Sequence, residues 1–398
     1  MSAAPSASAT AESGAARLTA AIVGCGVIAD NHVLALAARG DVDVVALIDP
    51  IAPAAERVAA LVESTGMARP ALFADLGDAL AEHPVDLVVI CAPSGLHVGL
   101  AETALNAGSN VVIEKPLDVS VGRARRILEL ADAAAHRGLV TSVISQHRFD
   151  PASAVVAGAA HSGEFGVVTS AVASVPWWRT QEYYDSGQWR GTWELDGGGA
   201  VMNQGVHTVD LLVWFLGHPV AVFAHTARLA HERIVVEDTA VATVRFANGA
   251  LGVLHATTAG FPGLSVRLQV HGSRGSGVIE NDQLAFFASG GVAASGANAD
   301  PTRSANENRA AQLVDPSELF GAARGADAFV IGHRRQYDDI VGAIREHRAP
   351  GVTVADALLS LAVVRAVYLS ATLGREVLID DVLAGEYDDQ TVRTEITG

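Results

Sequence analysis

Between residues 18 and 144 the chain alternates short, unbroken apolar runs with longer helical stretches, and this rhythm constrains the fold more than any other feature. Strand-like runs are expected at 18–23, 42–48, 86–90, 110–113 and 139–144. Helical stretches fall between them, at roughly 27–38, 54–62, 76–81, 97–107 and 120–136. Short strands separated by helices of about 10–15 residues are βαβ units of a parallel sheet. The runs are continuous Val/Ile/Leu and do not alternate with polar residues, as required where helices cover both faces of a sheet. A doubly wound α/β domain is therefore expected over residues 18–145.

From residue 146 the rhythm changes. A helix (152–160) and a strand (167–174) lead through an aromatic stretch into a helix at 200–216. Strand-like runs follow at 220–229, 239–246, 250–258, 265–271, 276–280 and 284–288, with turn signals such as Asn248-Gly249 and Gly272-Ser273 between them. This reads as an α+β domain over 146–380 with a large, mostly antiparallel open sheet and helices on one side. The uncovered sheet face is expected to be an oligomer surface. Residues 289–312, rich in Ala, Gly, Ser and Asn, are expected as a mobile loop, and helices at 326–346 and 355–373 close the fold. The Ala/Ser tract at 1–17 is expected to be a disordered tail, and 381–398 a polar tail.

A length of 398 residues suits two such domains, and a hydrophobic fraction of 50% gives each a core. The formal net charge of −17 argues against nucleic acid and anionic membranes as partners. Two cysteines, Cys25 and Cys91, supply no disulfide framework, which is the pattern of a reducing cytoplasm. The N-terminal tract lacks the basic head and apolar run of a signal peptide. The longest apolar stretch, 357–373, contains Arg365 and falls short of the roughly 20 uninterrupted residues that a spanning helix needs, so it reads as a core helix.

Gly24-Cys25-Gly26-Val27-Ile28-Ala29 follows the first strand and opens the first helix. Gly24 permits a tight turn, Gly26 lets the backbone approach a pyrophosphate, and Ala29 lets the helix pack closely on the strand. The helix N-terminus then faces the anion. Asp49 ends the second strand, where a carboxylate can bind the adenosine ribose hydroxyls and repel a 2′-phosphate. Pro50 and Ile51 follow it without an adjacent Arg. A dinucleotide is therefore expected, NAD in preference to NADP.

Three further segments carry a family resemblance: Cys91-Ala92-Pro93-Ser94-Gly95-Leu96-His97 after the fourth strand, Glu114-Lys115-Pro116 after the fifth, and the run from Gly197 through Asn203 and His207 to Asp210. With the glycine turn, they resemble the Gfo/Idh/MocA family, the glucose–fructose oxidoreductase and inositol dehydrogenase group, over about residues 18–380. The resemblance implies a two-domain subunit with NAD or NADP in the first domain and a sugar or polyol in the cleft against the sheet domain. It places Lys115 beside nicotinamide and substrate, makes His207 the proton donor or acceptor, and puts Pro93, Ser94, His97 and Glu114 on the cofactor side. It also implies homodimers or homotetramers formed through the sheet.

Those residue types suit the chemistry. Moving a hydride off a carbinol requires removal of the hydroxyl proton, which a His can take, while a Lys ammonium stabilises the developing alkoxide. Many members of the family carry Asp four residues before the His, where this chain has Asn203. Asn does not ionise, so proton transfer is expected to fall to Lys115 and His207, and Asn203 to hydrogen-bond substrate or nicotinamide. At helical spacing, Asn203, His207 and Asp210 fall on one face. Asp210 is then open to orienting His207 or to a packing role.

Four of the five Trp residues lie at 177, 178, 189 and 193, interleaved with Arg179, Tyr183, Tyr184 and Arg190. Aromatic faces stack on sugar rings and Arg binds carboxylate or phosphate, so Trp177, Arg179, Tyr184 and Arg190, with Asn203 and His207, are the expected substrate contacts. The same composition also suits a subunit interface. Gln146 and Arg148, where the chain enters the second domain, are further candidates for ligand contact. No metal site is expected. The sequence thus reads as an NAD-dependent oxidoreductase acting on a sugar, sugar-acid, nucleotide-sugar or cyclitol hydroxyl. A glycosidase or epimerase that retains its NAD, and a non-catalytic NAD or sugar sensor, are the alternatives.

Overall fold

The protein, seen in a computed structural model, is described over residues 16–187, 190–290, 307–315 and 328–396. The tail at 1–15, Trp189 and most of the expected loop at 289–312 lie outside the described residues.

Six parallel strands form the first sheet in the order β3-β2-β1-β4-β5-β6. They are β1 (Leu18–Val23), β2 (Val42–Ile48), β3 (Ala71–Phe73), β4 (Leu87–Ile90), β5 (Asn110–Ile113) and β6 (Thr141–Val143). Every residue of β4 and β5 is buried, as a sheet covered on both sides demands. The covering helices are α1 (Val27–Arg39), α2 (Ala52–Ser64), α3 (Leu76–Glu82), α4 (His97–Asn106) and α5 (Val121–Ala135). β3 gives no sequence signal because three half-buried edge residues carry no readable period.

The second half holds α6 (Pro151–His161), β7 (Val168–Pro176), α7 (Gln181–Asp185), α8 (Val206–Leu216), and strands β8 (Pro219–Arg228), β9 (Thr239–Phe246), β10 (Leu251–Thr257), β11 (Arg267–Gly272), β12 (Gly275–Glu280) and β13 (Gln283–Ser289). Their sheet runs β13-β12-β11-β7-β10-β9-β8-β14, with β14 at Val377–Leu378 and β15 (Glu395–Ile396) also pairing with β8. Pairing is antiparallel except at β7–β10 and β8–β15. Alternate residues of β8, β9 and β10 are buried, and the opposite face leaves Phe223, Val241, Leu251 and Val253 open to solvent.

The helix Val354–Leu373 is long and apolar enough to cross a membrane by length and composition alone, but it is the core helix beneath this sheet. Thr353 and Asp356 close its N-terminus as a capping box. Arg365 reaches out of the core to the Gln390 carbonyl at 2.6 Å.

Two boundaries differ from expectation. The helix Ala328–Glu346, expected within the second domain, packs on the first: Tyr337, Ile340 and Val341 share a core with Ala29, Val33 and Leu36 of α1. Gln336 clamps the end of β6, accepting from Ser145 N at 2.9 Å and donating to Val143 O at 2.8 Å. The expected polar tail at 381–398 folds back, with a helix over Ile379–Ala384, the strand β15, a buried Val392 and an Arg125–Asp388 ion pair. Sparse apolar anchors hold it, too few for a periodic pattern.

Candidate active site

The glycine turn lies at the C-terminal edge of the parallel sheet, between β1 and α1. Gly24 has φ of 91°, and a Cβ there would lie 2.7 Å from the Cys91 carbonyl carbon and from Ala92 N. Gly26 has open space where its Cβ would point. Val27 and Ile28 form the first turn of α1, whose N–H groups face the same space. Asp49 braces the turn, its Oδ2 accepting from Cys25 N at 2.7 Å and Oδ1 from Ile51 N at 2.8 Å. Val27, Ile51 and Leu96 leave a solvent-exposed apolar rim around it. A tight turn, a bare glycine, a helix N-terminus, a carboxylate at the end of β2 and apolar walls together fit a dinucleotide.

The structure also brings up Arg57, which is not adjacent to Asp49 in sequence. Its guanidinium bonds both oxygens of Asp30 at 2.7 Å and the carbonyls of Cys25 and Gly26 at 3.0 and 3.1 Å.

Pro93 and Ser94 lie on the short turn after β4, beside the glycine loop. His97 does not line the pocket as expected. Its ring is buried, with Nδ1 on Leu117 O at 2.9 Å and Nε2 on Ala92 O at 3.0 Å, so it ties the β4 and β5 loops together.

Glu114 is likewise turned away from the cofactor side. Its Oε1 accepts from His32 Nε2 at 3.0 Å and His333 Nε2 at 3.3 Å, while Oε2 accepts from Lys115 N at 2.9 Å. Burial alone would raise its pKa, but the two histidines prevail and hold it well below the usual carboxylate range. Tyr337 O–H supports His32 Nδ1 at 2.6 Å. The three ligand-type atoms of His32, Glu114 and His333 lie within 4.8 Å of one another, but their spacings are those of hydrogen bonds. This cluster braces the turn from which Lys115 projects.

Lys115, joined to Pro116 by a cis peptide, is half-buried, and its ammonium has no hydrogen-bond partner among the described residues. Lys115 and His207 line one small cavity with Ser145, Asp210 and Ser360. Burial, then Lys115 and His147, hold the His207 imidazole well below the usual histidine range, so the ring is neutral at pH 7. The structure adds His147, whose ring stands edge-on to His207 with centroids 5.1 Å apart. Its Nδ1 donates to Asp150 at 2.8 Å.

The expected single face forms only in part: His207 and Asp210 lie on α8 and line the same cavity, whereas Asn203 lies in the turn before it. Residues Ala200–Gly205 make a π-helical turn, which widens the winding before α8 begins and breaks the regular spacing. Asn203 Nδ2 donates to Asp196 at 2.7 Å. Asp210 faces the cavity, but its oxygens bond Arg148, Ser145 and Ser360, so it packs the helix and does not orient His207. Arg148 is thereby structural, and Gln146 is buried beside Gly332.

The aromatic segment divides. Arg179 lies over the rings of Trp177 and Tyr183, at 4.9 and 5.0 Å, and Arg190 over Tyr183 at 4.3 Å. Arg179 Nε is buried and has no hydrogen-bond partner among the described residues. Tyr184, expected on this wall, points inward instead. Its hydroxyl bonds Thr258 Oγ1 at 2.8 Å, its ring packs on His231, and burial pushes the phenol up. Tyr183 takes its place, because adjacent residues of a short helix point about 100° apart and sequence does not say which faces in. Trp193 packs on Tyr368 in the core.

Comparison with known proteins agrees with this layout. Residues 18–142 match the oxidoreductase family's NAD-binding Rossmann fold, and 155–278 match the GFO/IDH/MocA C-terminal domain. Among solved structures, the WlbA dehydrogenase of Chromobacterium violaceum, in complex with NADH and UDP-GlcNAcA, is 31% identical with a TM-score of 0.76, over 91% of this chain and 96% of that one. The Bordetella pertussis WlbA dehydrogenase, with the same two ligands, is 30% identical with a TM-score of 0.77, over 91% and 98%. Inositol 2-dehydrogenase of Rhizobium meliloti is 27% identical over 271 residues, 66% of this chain and 75% of that protein. With its parallel sheet, glycine turn and paired domains, this chain belongs to the Gfo/Idh/MocA family of NAD-binding oxidoreductases.

Proposed function

We propose that the protein is an NAD-dependent dehydrogenase that moves a hydride between nicotinamide and a hydroxyl-bearing carbon of an anionic sugar, either a sugar acid or a nucleotide sugar. The observation that carries this reading is the convergence of Lys115 and His207 on one cavity, with His207 neutral and the Lys115 ammonium without a hydrogen-bond partner among the described residues. Bound NAD supplies the hydride acceptor at nicotinamide. Neutral His207 takes the hydroxyl proton, and Lys115 holds the same oxygen and stabilises its developing negative charge. In the reverse direction His207 returns the proton.

Arg179 and Arg190 on either side of Tyr183 favour an anion beside a sugar ring. The UDP-GlcNAcA bound to the two WlbA dehydrogenases is a ligand of that chemistry. Copies of the chain associate through the open face carrying Phe223, Val241, Leu251 and Val253.

The test is NADH formation by the purified protein with NAD across sugar acids, nucleotide sugars, neutral aldoses and inositols, beside Arg179→Ala and Arg190→Ala. An anionic sugar is expected to react, with KM raised about tenfold or more in each variant. Turnover of neutral sugars alone, or unchanged kinetics in both variants, overturns the anion reading. Retained NAD with bond cleavage or epimerisation and no net NADH would replace it with a cofactor-recycling reaction.

A further inference from the structure

Asp196 follows the aromatic segment, just before the three glycines at 197–199. In the structure its side chain is buried and held from two sides. Oδ2 accepts from Gly191 N at 2.8 Å, and Oδ1 accepts from Asn203 Nδ2 at 2.7 Å. The cations acting on it are Arg190, from its own loop, and Lys115, from the turn after β5. Val119 closes against the adjoining Gly197, and beyond it Glu237 and Tyr368 pack against Gly198 and Gly199. Burial pushes the Asp196 carboxyl up to about 6 against the pull of Gly191 N–H, Arg190, Asn203 and Lys115.

We propose that Asp196 is the ionisable positioning residue of the substrate pocket. Through Asn203 it fixes the turn that leads into the His207 helix, and its charge offsets those of Arg190 and Lys115 beside the substrate anion and the reacting oxygen. The carboxylate sits on the loop and the amide on the helix, and one hydrogen bond joins them. This inference rests on the Lys115–His207 reading of the site.

Protonation of Asp196 strips both cations of their counter-charge. Activity therefore falls as pH drops through about 6. Asp196→Asn keeps the shape and removes the charge, so it is expected to abolish that acid limb and lower kcat about tenfold or more. The pocket gains net positive charge, so KM for an anionic sugar falls as kcat falls. The swap D196N/N203D keeps the hydrogen bond with donor and acceptor exchanged. It is expected to recover most of kcat and an acid limb.

A second readout needs no substrate. The NAD-bound protein is treated with an amine-acylating reagent at fixed pH, and modification of Lys115 is followed by mass spectrometry. Loss of the carboxylate that Lys115 acts on releases its side chain towards the reagent, so labelling is expected to rise several-fold in D196N and return towards wild type in the swap. Wild-type labelling and a wild-type acid limb in D196N overturn the proposal. If no sugar is turned over, the function reading fails and labelling alone decides the role of Asp196. If D196N does not fold, the swap carries the test, and fast Lys115 labelling in it overturns the proposal.

Discussion

Arg148 grips Asp210 through two parallel hydrogen bonds, Nε to Oδ2 and Nη2 to Oδ1, each 2.7 Å. Both side chains are buried. The pair joins the segment leaving β6 to α8 three residues beyond His207, and the hydroxyls of Ser145 and Ser360 bond the same carboxylate. A bidentate guanidinium–carboxylate pair fixes angle as well as distance. The helix that presents His207 is thereby indexed against both the first domain and the core helix Val354–Leu373.

Breaking that pair from the Asp210 side leaves the buried Arg148 with only Asp356, 3.4 Å away and partly exposed, as counter-ion. Asp210→Asn is expected to lower the unfolding free energy by about 3–5 kcal/mol in a denaturant titration. The double variant Arg148→Met/Asp210→Leu should lose less, since no charge is stranded. A loss of only about 0–1 kcal/mol in Asp210→Asn, as for a surface pair, would show that the joint is held by other contacts.

Lys115→Met and His207→Asn are each expected to lower turnover by about 10²–10⁴-fold while NAD binding, followed by fluorescence titration, is largely retained. Glu114 remains braced by His32 and His333 in both variants, so the cofactor turn keeps its shape. Turnover within a few-fold of wild type in either variant removes that residue from the chemistry.

Asp238 and His231 make stability depend on pH at both ends. Burial would raise the Asp238 pKa, but His231 and the N–H groups of Ala230, Leu229 and His231 outweigh it and pull it to about 2. The folded value lies below the unfolded one, so this contribution is complete above about pH 4 and is lost as pH falls towards 2, on the order of 2 kcal/mol. Burial lowers the His231 pKa, but the bonds to Asp238 and to the Arg179 carbonyl prevail and raise it above its ordinary value. That contribution is present below about pH 6.5 and fades as pH rises through the folded value. Asp238→Asn should therefore destabilise the protein most near pH 5, as read by thermal unfolding across pH. An equal loss at pH 3, 5 and 8 would sever the link to ionisation.

Cofactor choice turns on Asp49 with Arg57 occupied. NAD is expected to bind about tenfold or more tighter than NADP, because the Arg57 guanidinium is already engaged by Asp30. Asp30→Ala frees Arg57 and should narrow the ratio several-fold, measured as two dissociation constants. A ratio unchanged by Asp30→Ala would place Arg57 outside the ribose site.

Local pattern was enough for the first domain. Unbroken apolar runs placed five of its six strands, and the glycine turn with Asp49 located the cofactor edge, because a βαβ unit writes its geometry into adjacent residues. Lys115 and His207 could be named as candidates because each belongs to a short motif that carries the family resemblance. The tertiary structure alone decided how these pieces meet. It put the helix Ala328–Glu346 on the first domain, paired Asp196 with Asn203, set His147 against His207, and turned Tyr184 inward while Tyr183 faces the arginines. It also wound residues Ala200–Gly205 as a π-turn, which broke the helical spacing between Asn203 and His207 and left that between His207 and Asp210 intact. A sequence records which side chains are one turn apart. Which charges share a low-dielectric pocket is settled only when distant segments pack, since burial and the partners it brings set whether a group stays ionised.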